Sequence, residues 1–77
     1  MKIIRNFLEY DTDKSTKVAI INNSATLYKT DNNNWFSYED ITNDFNALTE
    51  KEVVGILEEY GRYEVIEQYF NHLIKDA

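Results

Sequence analysis

The chain contains no cysteine and no proline, only two glycines and a single histidine, and each shortage removes a class of protein. Without cysteine no disulfide can restrict the unfolded state. A lone His72 cannot build the Cys/His cluster of a structural zinc site, so apolar burial must carry the fold. The same lack suits a reducing compartment, and a cytoplasmic location is expected. The longest uninterrupted apolar run, residues 18–21, is far short of the roughly 20 residues that a membrane-spanning helix needs. Near the start, Arg5, Asn6 and Glu9 break the apolar stretch, so no signal-peptide core is expected.

Signs of catalysis are equally scarce. No glycine-rich phosphate loop and no nucleophile beside a base is legible, so neither an enzyme nor a bound cofactor is expected. His72 is read as offsetting the terminal carbonyls of the last helix. Residues 11–15 open like a calcium loop. However, Thr16 stands where that loop needs glycine and Asn22 where it needs a closing glutamate, so no metal site is expected. Residues 31–34, one Asp and three Asn, are read as a turn rather than a cation site.

What is present points to a folded domain. Apolar residues make up 43% of the 77 and aromatics 14%, well above the content of disordered chains. The length allows one domain, residues 1–77, with a thin stability margin, because so small a fold buries only about 60% of the surface its unfolded chain exposes. The frequent Asn, Tyr, Ile and Lys are read as the mark of an AT-rich genome.

Charge is unevenly distributed. Residues 1–36 hold five bases and four acids, whereas residues 37–77 hold ten acids and three bases, so the whole net charge of −6 belongs to the second part. Such asymmetry bears on partners. Bare nucleic acid suits it poorly, because binding phosphates requires Lys and Arg to displace counterions. A basic protein surface suits it well.

Along the chain, residues 3–10 fit either a helix face or a strand and are read as strand. Residues 11–17 read as a turn and the β-branched run 18–21 as a buried strand. Asn22, Asn23 and Ser24 supply a reversal into a strand over 25–29, and residues 30–34 a second turn into a short strand at Trp35 and Phe36. Ser37 followed by Asp40, with Phe36 and Ile41 placed as a staple, predicts a short helix with Ile41, Phe45 and Leu48 inward. Thr49 and Glu52 form a stronger capping box for a second helix, with Val53, Ile56, Leu57 and Tyr60 buried and Gly61 ending it. The apolar phase then shifts to Tyr63, Ile66, Tyr69, Phe70, Leu73 and Ile74, which predicts a separate final helix. The expected architecture is α+β: an N-terminal antiparallel β-meander of three to four strands, followed by two to three helices packed on one face.

Gly55 stands inside the second helix with no turn to justify it, so close packing, within the fold or against a partner, is expected there. Glu52, Glu58, Glu59, Glu64 and Glu67 fall off the buried stripes, and carboxylates one turn apart rise ~5.4 Å along the axis. They form the expected partner-binding face, together with Tyr60 and Tyr63; Tyr38 and Tyr69 are further candidates for contact area. In size and charge the chain resembles the small acidic inhibitors of mobile elements (anti-restriction, anti-CRISPR and bacteriocin immunity proteins), a likeness carried by no motif. It implies a stoichiometric inhibitor of a basic, nucleic-acid-binding protein, with carboxylates in place of phosphates. Two other functions remain open: a homodimer built on the last helix or Gly55, and a sheet-based DNA reader using Lys2, Arg5, Lys14, Lys17 and Lys29.

Overall fold

The computed structural model describes residues 1–22 and 25–77, so most of the reversal expected at 22–24 lies outside the described residues. The architecture is α+β, with six antiparallel strands in two sheets followed by two helices among the described residues. Strands β1 (Lys2–Arg5) and β2 (Leu8–Asp11) form a two-stranded sheet. Strands β3 (Thr16–Ile20), β4 (Ala25–Lys29), β5 (Trp35–Glu39) and β6 (Asp44–Leu48) form a four-stranded sheet in chain order. Helices α1 (Glu50–Glu59) and α2 (Tyr63–Phe70) complete the chain, with a 3₁₀ turn over Asn71–Leu73.

Two expectations fail in the sheets. The single strand read over residues 3–10 is a hairpin: Arg5 pairs with Leu8, and Asn6 and Phe7 between them have φ of 53° and 65°. Positive φ at both central positions is the type I′ turn, which suits the right-handed twist of paired strands. Asn tolerates it, but a bulky Phe rarely does. Second, the helix predicted from Ser37 does not form. Ser37 sits buried in the middle of β5, level with Leu27 on one side and Asn46 on the other. The segment Trp35–Glu39 alternates between the two sheet faces, and its aromatic content favours a strand. Asn43 at φ 60° turns the chain and accepts a 2.6 Å hydrogen bond from the Tyr38 hydroxyl. Ile41, expected inward, lies exposed at that turn, while Phe45 packs in a strand.

The sheet separates two apolar clusters. On one face Ala25, Leu27 and Trp35 meet Val53 and Leu57 of α1 and Val65, Ile66 and Phe70 of α2. Trp35 holds α2 through Phe70, at 5.2 Å between ring centroids, and through the edge of Tyr69 at 5.6 Å. On the other face Tyr28, Phe36 and Tyr38 are covered by Tyr10 of β2, and Phe45 packs beside them. Tyr10 meets Phe36 and Phe45 edge-on at 5.4 and 5.0 Å, contacts of ~0.5–1.5 kcal/mol each beyond their buried area. Arg5 lies 5.2 Å over the Phe45 ring and ties the hairpin down. The helices therefore pack on one face as expected, while the N-terminal strands leave the meander to cover the other.

The local signals in the second half hold. Thr49 Oγ1 accepts the Glu52 amide at 3.2 Å and Glu52 Oε1 accepts the Thr49 amide at 2.8 Å. Gly61, at φ 67°, ends α1, with the Gly61 amide donating to the Glu58 carbonyl and the Arg62 amide to that of Leu57. This is the Schellman pattern. The buried stripes are narrower than predicted. Val53 and Leu57 are fully buried and Ile56 half-buried, but Tyr60 is exposed; in α2, Val65 is buried and Tyr63 is not, and Leu73 and Ile74 lie exposed beyond the helix. The turn over residues 30–34 forms as read, with Asn33 at φ 65° and the Thr30 hydroxyl accepting the Asn34 amide.

Candidate functional site

All seven residues expected to meet a partner (Glu52, Glu58, Glu59, Glu64, Glu67, Tyr60 and Tyr63) are exposed. Glu52 also has a structural task. Its hydrogen bonds from the backbone and then the side chain of Thr49 hold its carboxyl below the usual value of 4.5, so it stays ionised while one oxygen serves the helix cap.

Helical spacing sorts the others. The four surface neighbours of Gly55, three and four residues away on either side, are Lys51, Glu52, Glu58 and Glu59, all exposed. On α2, Glu67 neighbours Glu64 at three residues and Tyr63 at four. The five glutamates therefore form two groups, one centred on Gly55 and one on α2 beside the interhelical corner. Tyr38 is buried and Tyr69 half-buried against Trp35, so neither offers much contact area.

Among the described residues, the ion pairs join Lys2 and Lys14 to Glu9, at 4.0 and 3.6 Å. Among the described residues no lysine from the sheet reaches the helix glutamates at such a distance. Arg62 lies in no such pair with them; its Nη2 donates to the Ile20 carbonyl at 2.6 Å, fastening the α1–α2 corner to the end of β3. The asymmetry of the sequence therefore survives as an unpaired acidic helical face.

The placement of Glu58 and Glu59 is locally unfavourable. Both occupy the last turn of α1, which carries no basic residue. The negative end of the helix dipole repels anions there by about 0.3–1 kcal/mol each. Gly55 adds about 1 kcal/mol relative to alanine. Close packing within the fold does not account for it, since nothing lies within 4 Å of where its Cβ would stand. A groove of about 500 Å³ instead runs beside it, lined by Glu50, Lys51, Val54, Gly55, Glu58 and Leu73. Sequence reading missed Glu50 and Val54 and placed Leu73 on the apolar stripe of the last helix; the pointer to this face was Gly55 itself. A second hollow, of about 350 Å³, lies between the β1–β2 hairpin and the 30–34 turn, with Phe7, Leu8 and Asp31 in its lining.

Other candidates have local roles. Asp11 accepts the Asp13 amide at 2.9 Å and, through its carbonyl, the Ser15 hydroxyl at 2.7 Å, closing a 3₁₀ turn over Thr12–Lys14. Among the described residues no group of three His, Asp or Glu side chains gathers as a metal site, and no helix is long and apolar enough to cross a membrane. No protein-family model, no curated protein and no solved structure matches the chain.

Proposed function

We propose that this chain is a non-enzymatic, acidic protein-binding module, a stoichiometric inhibitor of a basic, nucleic-acid-binding protein, of the kind mobile elements encode against restriction or CRISPR systems. One observation carries the reading: the exposed face of α1 keeps Gly55, Glu58 and Glu59 where each weakens the helix, and among the described residues no basic side chain comes within 4.0 Å of either carboxylate. Local rules broken at one place, without compensation inside the fold, mark sites kept for an external purpose. Carboxylates at helical spacing mimic the repeated charge of phosphates, and Tyr60 and Tyr63, exposed at 47% and 62%, add aromatic anchors beside them.

The alternatives have less support. The homodimer reading rests on Ile66, Phe70 and Leu73 as uncovered surface, or on Gly55; Ile66 and Phe70 are buried in the core of one chain, which leaves it only Leu73 and Gly55. The DNA-reading sheet needs an open face, whereas helices cover one side and Tyr10 the other.

The test is capture from a bacterial lysate by immobilised protein, compared with a variant carrying Glu58→Gln, Glu59→Gln, Glu64→Gln and Glu67→Gln. Basic nucleic-acid-binding proteins should be retained by the native chain at low salt and lost with the variant. Equal capture by both forms would end the acidic-face reading.

A further inference from the structure

Gly55 supports a more specific statement, which rests on the reading of α1 as a partner surface. A glycine within an exposed helix lets another backbone come close, and no other part of the described chain comes within 4 Å of its Cβ position. Val54 and Leu73 give the adjoining groove an apolar floor, with Leu73 more than half exposed. Carboxylates stand on both sides of it: Glu50 and Glu58 line the groove, and Glu52 and Glu59 flank Gly55 from the other side, with Lys51 the one cation. Bare backbone, an apolar floor and a double acidic rim together select an occupant.

We infer that Gly55 is the crossing point for a helix of the basic partner. That helix lays a small residue over the glycine, sets apolar side chains on Val54 and Leu73, and pairs Lys or Arg with the carboxylates on either side. A helix fits better than an extended strand, because the backbone groups along α1 are already bonded within the helix and leave no edge for a strand to join. Helix axes cross at 8–10 Å depending on the side chains at the contact, and glycine permits the near end of that range. Nucleic acid is excluded by the sign of the rim.

The experiment follows amide resonances of the labelled protein on addition of a synthetic amphipathic helix about five turns long, with a Leu/Ala stripe flanked by Arg, and of its Glu-flanked counterpart. Three proteins are compared: the native chain, Gly55→Leu, and a Glu52→Gln, Glu58→Gln, Glu59→Gln variant, each checked for folding by circular dichroism. The Arg peptide should shift Val54, Gly55, Glu58 and Leu73 in the native chain, and Gly55→Leu should bind at least about tenfold more weakly, as should the Gln variant. Native-like binding by Gly55→Leu, with binding still lost in the Gln variant, would overturn the groove while leaving the acidic surface standing. Undiminished binding by the Gln variant, or no binding by the native chain at low salt, would remove both. If the same amides shift with the protein's own concentration in the absence of peptide, a second copy occupies the groove and the inference fails.

Discussion

Replacing each glycine by alanine should move stability in opposite directions although the free space is the same. Beyond the adjoining backbone, no atom lies within 4 Å of where a Cβ would stand at Gly55 or Gly61, so contact with the rest of the fold does not separate them. Gly55 lies inside α1 with ordinary helical backbone, and Gly55→Ala gains the full helix-propensity difference of about 0.8–1 kcal/mol. Gly61 holds φ at 67°. There a Cβ meets the following carbonyl at a cost of ~1–2 kcal/mol, only partly offset by the reduced freedom of the unfolded chain. For a domain of this size 1 kcal/mol corresponds to about 4–8 °C in melting temperature. Gly55→Ala should therefore melt about 4–8 °C higher and Gly61→Ala lower by a similar amount, with unchanged urea m-values showing that compactness is preserved. Calorimetry or circular dichroism reads both. A Gly55→Ala melting point at or below that of the native chain, while Gly61→Ala falls as expected, would mean that some group already lies against Gly55, and the case for an unfilled site there would collapse.

Thr49→Ala removes the α1 cap and should cost ~1 kcal/mol, seen as a lower urea midpoint at constant m-value. Because the folded state holds the Glu52 carboxyl below its usual 4.5, its contribution is fully present above that value and is lost as pH falls through the lower folded one; acid titration of stability should be shallower in Glu52→Gln over that window. Leu57→Ala empties a fully buried site between α1 and the sheet and should cost about 2–5 kcal/mol, enough to leave much of so small a domain unfolded by circular dichroism at 37 °C. Phe7→Gly creates the Asn-Gly pair that type I′ turns prefer, at a position whose ring is fully exposed. It should raise the melting temperature, and a fall would show that the Phe7 ring packs against something.

The features legible in the sequence were those specified over a few residues. Thr49 and Glu52 cap a helix because their groups reach each other three residues apart, and Gly61 ends it because the chain leaves the helix there through a left-handed backbone. The polarity of charge was likewise readable, as was the exposure of all five glutamates, which lie off the apolar stripes. Residues 37–48 were misread because Ile41, Phe45 and Leu48 have helical spacing, and nothing local shows that Phe45 belongs beside Tyr10 and Phe36 on the far face of a sheet.

Composition and short-range signals thus determined an α+β chain, two helices divided at Gly61, and an acidic second half. Tertiary structure alone decided that the first strands fold back over Phe36, that β5 and β6 pair where a helix was expected, and that Gly55 has no internal neighbour. The division follows from range: caps and turns are closed by atoms a few residues apart, whereas strand pairing and the covering of a face depend on contacts between distant segments, whose entropy cost is repaid only when the whole core assembles.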